Sequence, residues 1–338
     1  MHEGTHRKHY IFPIPLYSVR REVEILSFEP YKFAKVVIIK CLSDLHPGTG
    51  RGGEVVDLTV QRDGVGFPVI YGSSIKGSMK TALYHRNKDL MVLLGPEPDD
   101  EEKYLSPIAI MTSYLLSFPV RSLKGIYTNI TSPFLLRRFS SYLEMASVLD
   151  KKYSEIANKV KAIANITGKF PATKGFIEKH VVDGLGKAFL CEEIGIDKNL
   201  IEESDDMDYL KKLVGLEDNE SLISLDDDRA KELIERSLIR IARIRVDREK
   251  KTVAGGGLWT EEAIPTGAIF STVFLGYSYE YLRNIMKIKG KEGEGKLEER
   301  EGELKENPID AILKKVEYLI LGGDESVGRG IVMLKEVG

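Results

Sequence analysis

The sequence predicts an α+β sandwich of the ferredoxin-like kind. Three observations carry this: β-branched runs with strand spacing recur, amphipathic helices follow several of them, and glycine-rich turns stand between. With 338 residues and 42% hydrophobic content, the chain can bury one large core, or one core with an insertion, without disulfides or a structural metal.

Composition excludes several classes. No apolar run approaches the roughly 20 residues that span a bilayer, and Met1 to Arg7 do not lead into a signal-peptide core, so a cytoplasmic protein with no membrane partner is expected. Cys41 and Cys191 stand far apart with no CxxC spacing, which fits a reducing compartment and suggests neither zinc nor a disulfide. Net charge is −3, so any polyanion must be drawn by local basic patches.

Residues 1–33 lack a clear period and read as an N-terminal arm. Its His2, His6 and His9 leave a metal site open as the competing reading. Ala34 to Leu42, dense in valine and isoleucine, reads as a central strand ending at the turn-rich stretch His46 to Gly53. Phe67 to Gly72 forms a second extended run. Ser73 or Ser74 then caps a helix on which Ile75, Met79 and Leu83 recur at i, i+4, i+8.

Ala109 to Thr131 reads as two strands around Phe118 to Gly125, and Ser132-Pro133 supplies an N-cap and N1 proline for the next helix. From 134 to about 236 the pattern is chiefly helical, the signature of an insertion. Ile239 to Val246 and the segment after Gly255-Gly256-Gly257 predict a long hairpin, with a projecting flap at about 244–265. Lys287 to Glu306 is charged at 13 of 20 positions and reads as a mobile loop. A helix on Ile309, Ile312, Leu313 and Val316, a short strand, the loop Gly322 to Gly330 and a closing strand finish the chain.

Several of these segments carry candidate chemistry. Asp57 follows a glycine-rich loop and Val55-Val56. There a carboxylate can bind a hydrated divalent cation or take a proton from a ribose 2′-hydroxyl, or simply cap a turn. His46, held extended by Pro47, suits either a proton shuttle or a structural hydrogen bond. Glu261, beside Glu262 and after Trp259, is a second candidate acid. Lys76 near a helix N-terminus can receive a phosphate, although Gly72-x-x-x-Lys76 is not a Walker A motif and nucleotide hydrolysis is rejected.

Arg121 and Lys124 on the turn between strands, with Arg137 and Arg138 nearby, can track a nucleic-acid backbone or receive a neighbouring subunit. On the flap, Arg245, Arg248, Lys250 and Lys251 surround Val253, a basic element with an apolar tip. The glycines of the last loop, Gly328 among them, permit close backbone approach to phosphates, and Arg329 adds a charge. Each also has a plain alternative: a solvated surface charge, an exposed hairpin, a tight turn.

In order along the chain, His46-Pro47-Gly48-x-Gly50, Val56-Asp57, Gly72-x-Ser74-x-Lys76-Gly77, Phe118 to Gly125, Gly256-Gly257-Leu258-Trp259 and Gly322-Gly323-x-x-x-Val327-Gly328-x-Gly330 resemble one family. It is the backbone subunits of the type III-B CRISPR effector, the Cmr complex, within the RAMP superfamily. The resemblance runs from about Ala34 to the C-terminus and is weakest in the insertion and the charged loop. It implies an RNA-recognition-like palm over 34–338, a projecting thumb hairpin, and a filament of copies along guide RNA beside other Cmr subunits. It also implies an endoribonuclease that cuts target RNA with Mg²⁺ or Mn²⁺, Asp57 standing where the family's cleaving aspartate stands. A tyrosine that can follow the acidic pair in relatives is Ala263 here. Competing expectations are a guide-RNA scaffold that does not cut, a stand-alone guide-processing endonuclease, and the related type III-A backbone subunit.

Overall fold

The computed structural model describes residues 31–51, 56–85, 87–101, 104–288 and 301–338. The N-terminal arm and most of the charged loop fall outside them. The fold is mixed α/β, organised on the first strand, Tyr31–Cys41. That strand pairs antiparallel with Ile269–Tyr277 on one side and Ile331–Glu336 on the other, so Ile38 lies between Ser271 and Lys335.

Both faces of this strand are buried from Val36 to Ile39, which is why that run is continuously apolar. Val37, Ile39 and Cys41 enter one core with Ile75, Met79 and Leu83 of the helix Gly72–Tyr84. Ala34, Val36 and Ile38 enter the other with Leu136 and Phe139 of the helix Pro133–Ser147 and Tyr153 of the helix Lys152–Ala164. Each fully buried aliphatic or aromatic side chain contributes about 1.5–3 kcal/mol. Cys41 and Cys191 are free thiols, both buried, and burial pushes the Cys41 thiol well above its ordinary range.

Local signals set several helix starts, though not all. Ser132 accepts from the Leu135 N–H and is followed by Pro133, as its sequence predicts. The helix Gly72–Tyr84 instead begins after Tyr71, whose side chain makes no cap, so neither Ser73 nor Ser74 is its N-cap. Lys76 consequently sits in the second turn, one turn away from the expected anion position.

The segment 134–236 is helical in large part, yet it also extends the main sheet. Leu222–Ser224 pairs parallel with Ile126–Thr131 and bridges to Phe170–Ala172, which pairs with Ile201–Glu203. Three-residue strands are too short to display a period, so sequence patterning passes over them.

A second sheet is built from Gly48–Arg51, Leu58–Val60, Val253–Ala263 and Ile239–Val246. Its last two strands form the expected hairpin, which starts at Ile239 and carries Ile244, Val246, Val253 and Leu258 exposed to solvent. No helix among the described residues is long and apolar enough to cross a membrane.

Candidate nucleic-acid interface

Asp57 stands at the exposed lip of the second sheet, held from behind by buried Val56 and continuing into Leu58–Val60. Its neighbour across the strands is Thr260. The Asp57 N–H donates to Thr260 Oγ1 at 3.0 Å, while the Thr260 N–H and hydroxyl donate to Asp57 Oδ2 at 2.8 and 2.9 Å. A backbone donor and a hydroxyl thus share one carboxylate oxygen.

Glu261 and Glu262 follow on the same strand and so project to opposite faces. Both are buried, and both are engaged by arginines. Glu261 accepts from Arg243 at 2.9 Å and from Arg329 at 3.0 Å, and the same two guanidiniums hold Asp324 at 2.9 and 3.1 Å. Glu262 accepts from Arg62 at 2.9 Å and Arg240 at 3.2 Å and from the Val60 N–H at 3.4 Å. Burial alone would raise the Glu262 pKa; the Arg62 hydrogen bond and charge, with Val60 and Arg240, outweigh it and hold the carboxyl below its ordinary range. The two glutamates therefore anchor the hairpin base to the rest of the fold.

Ligand chemistry for a divalent ion is sparse at this lip. Among the described residues no group of three or more histidine, cysteine, aspartate or glutamate side chains could hold a metal. Glu261 spends its oxygens on guanidiniums, so the described residues alone do not form a closed metal site, and Asp57 is the one predicted ligand at the surface.

His46 is buried beneath the same region. Its Nδ1 lies 2.6 Å from the Glu262 carbonyl oxygen, which requires the proton on Nδ1, and its backbone carbonyl accepts from the Gly323 N–H at 3.0 Å. The imidazole thus ties the hairpin to the last loop, and the geometry supports its structural role over a proton shuttle. Gly322 has φ +78°, and a Cβ there would come 2.3 Å from the His46 oxygen, so this approach admits only glycine.

In that last loop several amides, that of Gly328 among them, are already spent. The N–H groups of Val327 and Gly328 donate to Asp324 and Glu325 carbonyls, and that of Gly330 donates to Asp44. Gly328 is not part of an open phosphate cradle, and Arg329 is committed to Glu261 and Asp324.

The basic candidates divide by their partners. Arg121 pairs with Glu192 at 3.1 Å with side chains 67% and 61% exposed, and Lys124, 37% exposed, pairs with the exposed Asp183 at 3.3 Å. Such pairs contribute about 0–1 kcal/mol and exchange readily for a phosphate. Their turn is held from inside by His180, whose Nδ1 lies 3.0 Å from the Lys124 carbonyl and from Ser122 Oγ. Burial lowers the His180 pKa to about 4. Gly125, at φ +86°, would drive a Cβ to 2.9 Å from that imidazole. Lys76 is half-buried, and burial, with the nearby Lys80 charge, lowers its pKa.

At the hairpin tip Arg245, Lys250, Lys251 and Val253 are all exposed around a turn in which Asp247 accepts from the Glu249 and Lys250 N–H groups. The lip, the strand turn and the tip thus supply a carboxylate, two exchangeable cations and a basic apolar wedge. Sequence reasoning missed Thr260, Arg243 and His180. Only Thr260 had a signal, since it lies inside the Trp259 to Glu262 segment already singled out.

Comparison with known proteins is consistent along most of the chain. The RAMP superfamily model matches residues 38–332. The CRISPR system Cmr endoribonuclease Cmr4 of Pyrococcus furiosus is 30% identical over 318 residues, covering 90% of this chain and 96% of that one. A cryo-EM structure of a type III-B Cmr-beta complex bound to cognate target RNA contains a chain that is 29% identical with TM-score 0.70, covering 90% of this chain and 98% of that one. A crystal structure of oligomeric Cmr4 from P. furiosus gives 25% identity and TM-score 0.59, over 90% of this chain and 98% of that one.

Proposed function

The chain belongs to the RAMP superfamily, in its Cmr4 branch, and from that premise we propose that it is the endoribonuclease backbone subunit of a type III-B Cmr effector. In this reading copies of the chain line a guide RNA in the cytoplasm beside other Cmr subunits, and each presents Asp57 to the paired target RNA. The main sheet acts as an RNA-recognition-like palm and the hairpin as a thumb. The observation that carries the reading is the exposed Asp57 carboxylate, oriented by Thr260 at the lip of the second sheet. A relative of full matching length is named an endoribonuclease, which agrees with it.

Chemically, Asp57 takes the proton of a ribose 2′-hydroxyl as that oxygen attacks the adjacent phosphorus. The 2′-O–P bond forms and the P–O5′ bond breaks, with water protonating the departing 5′-oxygen, to leave a 2′,3′-cyclic phosphate and a 5′-hydroxyl. Arg121 and Lys124 hold the RNA backbone, and Arg245, Lys250, Lys251 and Val253 engage it from the tip. A divalent ion, Mg²⁺ or Mn²⁺, would have Asp57 as its protein ligand, Glu261 and Glu262 both being turned to arginines, and would supply stabilisation of the charge that builds on the phosphate.

The test is cleavage of guide-complementary RNA by the reconstituted assembly, comparing wild type with Asp57→Ala at matched target binding. Loss of regularly spaced cuts supports the reading. Undiminished cutting reduces the chain to the scaffold alternative.

A further inference from the structure

We infer that Thr260 is the positioning residue for Asp57, an inference that rests on the proposed cleaving role of that aspartate. Thr260 makes three hydrogen bonds to Asp57, at 2.8, 2.9 and 3.0 Å, and its hydroxyl serves both as acceptor for the Asp57 N–H and as donor to Oδ2. The next two side chains on the hairpin strand are placed differently: Glu261 and Glu262 are turned to their arginines.

An aspartate side chain has two soft dihedrals. Two donors converging on one oxygen from a strand backbone and its own hydroxyl fix both, and so set the plane in which Oδ1 lies. The contact ties the two strands just beyond their ladder, which between Leu58–Val60 and Val253–Ala263 is the single pair Leu58↔Glu261. Without the hydroxyl, the Asp57 backbone loses its partner and the carboxylate oxygen Oδ2 keeps one Thr260 donor of two. A reacting group displaced by about 1 Å can cost on the order of a hundredfold in rate.

The same arrangement makes the aspartate contingent on the hairpin. Thr260 is rigid because Glu261 and Glu262 beside it are locked by Arg243, Arg329, Arg62 and Arg240. The orientation of Asp57 is thereby inherited from an element that also reaches out to the RNA.

The experiment measures single-turnover cleavage at saturating target, and target affinity separately, for assemblies carrying wild type, Thr260→Val, Thr260→Ser and Asp57→Ala. Thr260→Val keeps shape and backbone donor but loses the hydroxyl, and is expected to cut about tenfold more slowly or worse with affinity within about twofold. Thr260→Ser restores the hydroxyl and is expected to cut within about threefold of wild type. Thermal unfolding confirms assembly, and Thr260→Ala replaces the valine variant if that one does not assemble. The inference is overturned if the hydroxyl-free variant cuts within twofold of wild type, or if Thr260→Ser falls as far as it does. Undiminished cutting by Asp57→Ala would instead refute the functional reading itself, so the two failures are distinguishable.

Discussion

Arg62 and Glu262 lie 200 residues apart in sequence and form a 2.9 Å ion pair in which the carboxylate is buried. Because the native state holds the Glu262 carboxyl below its unfolded pKa, the pair contributes stability above the unfolded value of roughly 4.3, and loses it as pH falls through the folded value. Glu262→Gln leaves two guanidiniums facing a neutral amide and is expected to cost about 3 kcal/mol at pH 7. Denaturant unfolding at pH 7 and near pH 3 checks this: the gap between variant and wild type should shrink at the lower pH.

His180 gives the opposite kind of group with the same direction in pH. Its folded pKa of about 4 lies below the ordinary 6.5, so the unfolded chain takes up a proton that the folded chain refuses. Stability from this site is complete above about 6.5 and declines as pH drops toward 4, beyond which the decline stops. His180→Gln is expected to flatten that part of the stability curve, read as Tm against pH between 7 and 4.

Arg121 and Lys124 are predicted to act on binding and not on folding. The double variant Arg121→Ala/Lys124→Ala should leave Tm nearly unchanged, because its two surface pairs contribute about 0–1 kcal/mol each. Guide-RNA affinity should fall, and the slope of log affinity against log salt should shrink by about 0.7 for each phosphate that the variant no longer neutralises. Filter binding across a salt series measures both.

His46 separates a structural from a chemical role. Since its Nδ1 is the atom bonded to the Glu262 carbonyl, His46→Asn, which can present an amide N–H near that point, should retain cleavage within a few-fold. A proton shuttle at this position would instead lose about a hundredfold or more in the same variant. His46→Ala should lower Tm in either case.

Chelation is expected to stop cutting without altering the fold. As the described residues provide no cluster able to hold a metal by themselves, EDTA should leave Tm of the isolated chain unchanged while suppressing target cleavage by the assembly. A Tm shift would point to a site built by the protein.

Much of the framework was legible because it is local. The apolar run of the first strand, the Ile75, Met79, Leu83 face and the Ser132-Pro133 helix start depend on neighbours within a few residues, and each sits where its pattern directs. The short strands within 134–236 escaped because three residues carry no period. The charge pattern was harder: Glu261 and Arg329 look alike to any exposed acid or base, and only the fold brings them from 68 residues apart to 3.0 Å. The last loop looked open to phosphates since glycine reports backbone freedom and says nothing of where the freed amides go. The place of Asp57 at an exposed strand edge was readable from the glycine-rich loop and Val55-Val56 before it, but its hold by Thr260 was not.

The paired glutamates at the hairpin base have a mechanical meaning. The strand Val253–Ala263 spans on the order of 30 Å, and ion pairs grip its root from both faces. A beam clamped on both sides cannot roll about its long axis, so a push at the tip arrives at the root as bending. Load applied far from Asp57 is felt at the threonine beside it, with the travel scaled down by the length of the arm.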